Sequence, residues 1–419
     1  EQLNRETLEV RLRAEKIAPD FIGLTATTRI INNALESAKI CWKVFPEAKI
    51  VFGGVHPTLM PEEVLINDFV DYVIRDEGEF AMNELVSGKP PAEILGLSYK
   101  KDGQFVHNSR RPFLENLDIL PLYPTRLLPM EKYHPSLGAY KRLPAFGLVS
   151  TRGCPGHCTY CYQNFGPVIR YQSARRLLDQ IKALQRDYGI REISFYDDTF
   201  TAVKANAREF CRLVKAEKVN LTWSCFSRVD CVDREILEAL KDAGCHQIMY
   251  GVESASPQIL ENIKKRIKLE RVEEVVKMTK EVGINCRVAF MFGNQGETEE
   301  TMEKTLNYAI KLDPDVAVFN ITTPFPGTEV FKWADEHGYL KTKDWSKYNF
   351  AQSLLELPTV SSAKVEEFYK KAFRKFYFRP KYIFRRLYKI TAYDINTLKA
   401  VSRFFIKWIL GLRRDTTTE

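Results

Sequence analysis

Thr151-Arg-Gly-Cys-Pro-Gly-His-Cys-Thr-Tyr-Cys-Tyr162 places three thiols, Cys154, Cys158 and Cys161, at CxxxCxxC spacing, with Gly153, Pro155 and Gly156 bending the chain between them. Thiols this close can converge on one metal centre. Iron–sulfur clusters are held by Cys thiolates and a four-iron cube takes four ligands. Three cysteines without an obvious fourth leave one iron open, where a small molecule can bind and accept an electron. A structural zinc site more often shows two CxxC pairs or added His ligands, and His157, inside the run, reads as a loop residue. A disulfide fits less well, because the thiols are crowded and no secretory signal is visible. Spacing alone leaves zinc and a plain electron-transfer cluster open.

Working outward, a short apolar strand (145–150) precedes the run, and strand-like segments recur at 192–195, 221–225, 247–250, 285–290 and 316–320. Amphipathic helix patterns lie between them near 173–188, 203–217, 233–243, 257–282 and 298–312. Such alternation predicts parallel βα units with the chemistry at the carboxyl ends of the strands. With Tyr160 just before the third Cys, the run resembles the signature of the radical S-adenosylmethionine (SAM) enzymes, whose cysteine loop follows the first strand of a partial (β/α)6 barrel. The resemblance implies a [4Fe–4S] cluster on Cys154, Cys158 and Cys161, SAM chelating the open iron, and reductive cleavage to a 5′-deoxyadenosyl radical.

The same resemblance directs attention to the other strand ends. Asp197 and Asp198 stand where many members carry a Gly-Gly-Glu-Pro-like turn for the SAM amino group, and they resemble the variant of the cobalamin-binding branch. The plainer reading is a helix N-cap, a role that Asp198 and Thr199 both suit. Ser227 and Arg228 follow the third strand, and an Arg fork suits a carboxylate. Gly251-Val-Glu-Ser254 resembles the element that meets the SAM ribose, which marks Glu253, while Ser254 and Ser256 read as caps. Lys265 matches a basic position that contacts the SAM carboxylate in relatives, or is a solvated lysine of the Lys264–Arg266 cluster. Gly293 and Gly296 read as a turn allowing backbone to approach adenine.

Upstream, Pro19–Thr25 reads as a strand, 32–44 as a helix, Ala48–Pro57 as a strand with a Gly53-Gly54 turn, and Asp71–Ile74 as a strand entering Arg75-Asp-Glu-Gly-Glu79. A Gly-Gly pair after a buried strand lets backbone approach a flat or phosphate-bearing ligand. Together these features resemble the flavodoxin-like (Rossmann-type) cobalamin domain found before many radical SAM barrels, in which Thr25, Gly53 and Gly54 accommodate the nucleotide tail. His56 reads as a loop residue and not as an axial cobalt ligand. The chain opens at Glu1-Gln-Leu-Asn in what reads as the end of a helix, without an initiator Met. The expectation is a truncated domain that lacks its first βα unit and the lower-ligand loop, with weakened cobalamin affinity.

The expected fold class is therefore α/β, with a cobalamin domain over 1–111, a Pro-rich linker over 112–144, the radical SAM barrel over 145–340 and a basic, aromatic helical extension over 341–419. At 419 residues more than one core is expected. Nine cysteines are too few for a disulfide scaffold, and the six outside the run read as small buried hydrophobes. Free thiols and an oxygen-sensitive cluster fit a cytoplasmic setting, and no apolar run is long enough to span a bilayer. The net charge of +8 is concentrated late: 364–414 holds fifteen Lys/Arg against Glu366, Glu367 and Asp394, and Val401, Phe404, Phe405, Trp408, Ile409 and Leu412 recur at helical spacing. This segment reads as a helix packed on the barrel, as a basic amphipathic helix on an anionic membrane, or, less readily, as a nucleic-acid patch. The resemblance implies methyl transfer to, or cyclisation of, an unactivated carbon of a small molecule, a lipid or tetrapyrrole among the options, with flavodoxin or ferredoxin as electron donor. The rivals are a tRNA methylthiotransferase-like enzyme and a non-catalytic cobalamin or iron–sulfur carrier.

Overall fold

The computed structural model describes residues 5–15, 17–124, 127, 129–130 and 140–388. The chain divides into two compact units: Glu1–Leu114 with His157–Gly166 and Thr322–Ser362, and Glu115–Gly156 with Pro167–Ile321 and Ala363–Glu419. The basic amphipathic pattern over 401–414 lies outside the described residues.

The first unit is built on β1 (Phe21–Thr25), β2 (Lys49–Gly53) and β3 (Tyr72–Ile74), which pair in parallel and are joined through α2 (Ile31–Val44), α3 (Val55–Leu59) and α4 (Pro61–Leu65), with α1 (Arg5–Ala14) ahead of them. After α5 (Glu79–Val86), β4 (Leu97–Lys101) and β5 (Gln104–His107) add an antiparallel hairpin, which sequence reading did not identify. Strand order is β1-β2-β3-β4-β5. The β2 run Ile50-Val-Phe52 is buried on both faces, as expected of a central parallel strand. Its core is completed from far along the chain, by Trp345, Tyr348 and Leu354 packing with Ile31, Ile50, Phe52 and Val64. Phe331, on α12 (Glu329–Glu336), packs against the same cluster.

The second unit holds six parallel strands, β6 (Ala145–Leu148), β9 (Glu192–Phe195), β10 (Thr222–Ser227), β11 (Cys245–Glu253), β12 (Asn285–Phe292) and β13 (Val316–Ile321), in the order β13-β12-β11-β10-β9-β6. The crossover helices are α6 (Ala174–Tyr188), α7 (Lys204–Ala216), α8 (Arg234–Asp242), α9 (Pro257–Asn262), α10 (Leu269–Glu281) and α11 (Glu299–Leu312). Their ends follow ordinary capping chemistry. Ser173, Asp233 and Thr298 each accept a backbone N–H at an N-terminus, and Gly189 takes φ 63° after α6. A small ribbon of β7 (Thr151–Arg152) and β8 (Arg170–Tyr171) closes the root of the cysteine loop. Phe195, Phe200, Phe210 and Trp223 pack ring to ring in the core.

Three expectations change. The single helix expected over 257–282 is two, α9 and α10, separated by a loop in which Lys264 and Arg266 take positive φ. The stretch read as a linker is tied to the barrel unit from residue 115 on: Asp118 accepts the Ser173 N–H at 2.9 Å, Gln180 accepts the Tyr123 N–H at 2.8 Å, and Glu192 accepts the Lys141 and Arg142 N–H groups at 2.8 and 2.7 Å. Glu192 also receives Thr222 Oγ1 and His246 Nε2, both at 2.7 Å, and so fastens the amino ends of three strands. The extension expected from 341 becomes helix only at α13 (Ser362–Tyr377) and α14 (Pro380–Tyr388), because Leu340–Leu355 first forms a bridge within the other unit.

Candidate functional site

The parallel strands of the second unit deliver their carboxyl ends to one edge of the sheet, and the sequence-predicted residues of the barrel cluster there. The loop after β6 carries Cys154 and Cys158, both half-exposed, and Cys161, which is exposed, whereas Cys41, Cys211, Cys225, Cys245 and Cys286 are buried and Cys231 is half-buried. Exposure thus separates the three motif thiols from the five buried cysteines. Gly153 takes φ 94°, a conformation closed to most side chains, at the point where the loop leaves β7. Within the loop the Gly156 N–H approaches Cys154 Sγ at 3.4 Å, and the Cys161 N–H donates to the Cys158 carbonyl at 3.1 Å. Among the described residues no three His, Cys, Asp or Glu side chains are grouped to hold one metal ion. The donor set, three solvent-reachable thiols within eight residues, is of the kind that iron–sulfur clusters use. Tyr160, between the second and third thiols, is half-buried.

Asp197 lies just beyond β9 and grips the root of this loop. Its Oδ1 accepts the Ser150 and Thr151 N–H groups at 2.5 and 2.6 Å, and its Oδ2 accepts Ser150 Oγ at 2.7 Å. The carboxyl is 1 % exposed, and burial raises its pKa to about 6 against the lowering effect of those three bonds. Asp198 beside it is exposed. Of the two N-cap candidates, Thr199 and not Asp198 holds the cap position, that of the turn Phe200–Ala202, without a side-chain cap bond.

The structure brings Glu253 and Lys265 together. Glu253 ends β11 at a bulge, where it takes φ 73°, and its Oε1 lies 2.9 Å from Lys265 Nζ with both residues buried. A non-glycine residue held there stores backbone strain, a feature that concentrates at functional sites. Gly251 must lack a side chain, because a Cβ would meet Glu253 Oε1 and Lys265 Nζ. At the end of β10, Ser227 is buried with its Oγ 2.5 Å from Thr201 Oγ1, and Arg228 forms a fork onto Asp230 at 3.0 and 2.7 Å. Gly293 and Gly296 both take φ 80° after β12. Between and beside them are two residues that sequence reading passed over: Asn294 and Glu297, both fully buried. Glu297 accepts the Asn294 side-chain amide at 3.1 Å, and burial raises its carboxyl to about 7. Ser254 and Ser256 make no cap bond; Ser254 Oγ instead lies 3.1 Å from Thr305 Oγ1.

In the first unit Thr25 and Gly53 are register partners at the ends of β1 and β2, and the Ala26 N–H donates to the Gly53 carbonyl at 3.0 Å. A Cβ on Gly53 would have only the Ile74 carbonyl, 3.9 Å away, so space is open beside it; Gly23 on β1 has nothing within 4 Å. This open, side-chain-free edge fits a bulky ligand. Gly54 differs: it takes φ 96°, and a Cβ would lie 2.7 Å from both the Ala26 carbonyl and Thr25 Oγ1. Its glycine serves the chain's own turn. His56 is not a loop residue: it is fully buried on α3, with Nδ1 3.2 Å from Thr28 Oγ1 and its ring against Trp345. A further group went unread. Asp76, at φ 63°, lies 3.6 Å from Arg110, and both bear electrostatically on Tyr162, the residue after Cys161. An Asp in such a turn carries no sequence signal distinguishing it from ordinary turn chemistry.

Residues 148–309 match the radical SAM superfamily, and residues 2–86 match the B12 binding domain. The chain is 37 % identical over 383 residues to an uncharacterized methyltransferase of Pyrococcus horikoshii, covering 90 % of this chain and 82 % of that protein. It is 27 % identical to an anaerobic magnesium-protoporphyrin IX monomethyl ester cyclase of Rubrivivax gelatinosus, over 88 % of this chain and 68 % of the relative. In fold it resembles the radical S-adenosylmethionine methyltransferase TsrM from Kitasatospora setae, solved with cobalamin and a [4Fe–4S] cluster, at a TM-score of 0.65, 19 % identity and coverage of 81 % and 68 %.

Proposed function

The chain belongs to the radical SAM enzymes that carry a cobalamin-binding domain, and on that premise we propose that it transfers a methyl group to an unactivated carbon of a hydrophobic small molecule, with a tetrapyrrole as the favoured class. The observation that carries the reading is the pairing, in one chain, of a solvent-reachable three-thiol loop with the open space at Gly53, the end of β2. The likeness to a methyltransferase supports the reaction, and that to a magnesium-protoporphyrin cyclase supports the substrate class.

The residues take these roles in the proposal. Cys154, Cys158 and Cys161 hold the cluster, and Asp197 fixes the root of their loop. Glu253 and Lys265 present a carboxylate and an ammonium for the ribose and the amino-acid end of SAM, while Ser227 and Arg228 border the same edge. Thr25, Gly53 and the turn made by Gly54 accommodate the cobalamin tail. When bound, the cluster supplies the electron that cleaves SAM, and cobalamin carries the methyl group; the protein supplies position and exclusion of solvent. A low-potential flavodoxin or ferredoxin in the cytoplasm delivers the electron.

The test uses anaerobically reconstituted protein with hydroxocobalamin, a strong reductant and SAM bearing a trideuteromethyl group, offered candidate tetrapyrroles. The proposal expects both 5′-deoxyadenosine and S-adenosylhomocysteine, with a product heavier by one labelled methyl group. Deoxyadenosine with no S-adenosylhomocysteine, and a product lighter by lost hydrogen, overturns methyl transfer in favour of ring formation, which the cyclase likeness makes the second reading.

A further inference from the structure

The last helix among the described residues, α14, has two sides that differ sharply. The inner side of α14 is fastened down. Tyr382 is 6 % exposed with its hydroxyl donating to the Asp315 carbonyl at 2.9 Å, and Asp313 is paired with Arg379 at 3.1 Å and Arg385 at 2.7 Å. Those guanidinium groups also lie over the Phe376 and Tyr382 rings. The outer side carries Ile383 at 41 % and Phe384 at 63 % exposure, with Phe378 at 55 % just before the helix; at its margin the Lys381 side chain, 82 % exposed, also reaches Asp313 at 3.5 Å. Large apolar residues bare to solvent beside a cation are unusual on a well-anchored helix and mark an interaction surface.

Charge indicates the kind of partner. Between 362 and 388 the nine Lys/Arg outnumber Glu366, Glu367 and the three barrel carboxylates Glu299, Glu303 and Asp313 with which six of them pair, and the sequence from 389 to 414 adds six more against Asp394, with Phe404, Phe405 and Trp408 among them. Among the described residues no helix is long and apolar enough to cross a membrane. Basic residues interleaved with bare aromatics on an amphipathic helix suit the headgroup layer of an anionic bilayer, where the cations meet the headgroups and the rings enter the acyl boundary.

We propose that the outer face of α14, formed by Phe378, Lys381, Ile383 and Phe384, docks the protein on the surface of an anionic membrane. The proposal does not rest on the reaction assigned above. It is tested by sedimenting the full chain with vesicles of phosphatidylcholine alone or with one-third phosphatidylglycerol. Binding is expected only to the anionic vesicles and falls as salt rises. Lys381→Glu weakens it about fivefold or more, the share of one cation near such a surface. Phe384→Asp combined with Ile383→Ser weakens it at least tenfold, while the circular dichroism spectrum and SAM cleavage without vesicles stay unchanged. Absence of binding to anionic vesicles overturns the proposal, as does undiminished binding by the double variant. So does a dimer of the parent chain, seen by light scattering, that the double variant breaks, because the face would then cover a second copy.

Discussion

Asp197 is loaded in opposite directions, by burial against its charge and by backbone and side-chain donors of Ser150 and Thr151 toward it. Removing its acceptor leaves two backbone N–H groups and a hydroxyl unpaired in the interior, worth roughly 2–4 kcal/mol. Asp197→Ala is therefore expected to lower the iron content of reconstituted protein severely. Asp197→Asn keeps an oxygen for both amides and an N–H for Ser150 Oγ, so it retains the cluster; loss of iron in the Asn variant would show that the charge, not the brace, matters. The titration has a definite sign. A carboxyl raised to about 6 contributes stability that is complete below pH 4 and is lost as pH rises through 6, a change of about 3 kcal/mol. Urea unfolding of apo protein should show the parent losing stability against Asp197→Asn between pH 4 and 7, and a pH-independent difference would contradict this. Glu253→Gln removes the negative charge 2.9 Å from the buried Lys265 ammonium while keeping an amide oxygen there, costing about 1.5–3 kcal/mol. Combining it with Lys265→Met should recover most of that stability while SAM affinity stays at least tenfold weaker. Native SAM affinity in the double variant would reduce the pair to a structural brace. The three thiols were legible because spacing alone brings them together, and Glu253 through the short element around it. The loop-root role of Asp197 was not, since it depends on strands 47 residues apart meeting side by side.

At the scale of elements, the adjacent glycines after β2 do different work. A side chain at Gly53 enters open space, whereas one at Gly54 meets its own turn at a positive φ. Gly53→Val is expected to abolish hydroxocobalamin uptake, followed by visible spectrum, with little change in melting. Gly54→Ala is expected to destabilise the protein by about 1–3 kcal/mol whether or not ligand is present. Normal uptake by Gly53→Val would remove this edge from the binding site. The barrel strands and most helices were readable from alternation and caps. The break between α9 and α10 was not, because nothing like Gly or Pro marks it; the chain turns there as Lys265 points inward to Glu253. The β4–β5 hairpin did leave a signal, Asp102-Gly103 at φ 51° and 78°, the pattern of a tight hairpin turn.

At the scale of the molecule, sequence order and spatial grouping disagree. The first unit draws Trp345, Tyr348 and Leu354 from beyond the last barrel strand, and the Trp345 indole donates to Glu63 at 2.5 Å. No periodicity reveals that a segment serves a core begun three hundred residues earlier. A fragment of residues 1–114 is accordingly expected to be insoluble or molten, and co-expression with 115–419 to restore it. A soluble, cooperatively melting 1–114 would show that the later segment is dispensable. The grouping also sets a clock. At about 5–20 residues per second, a ribosome needs roughly 12–50 s to pass from residue 114 to residue 354, and through that interval Ile50 and Phe52 await their partners. The nascent chain thus carries an unsealed hydrophobic face for tens of seconds, a window open to aggregation and to chaperone capture.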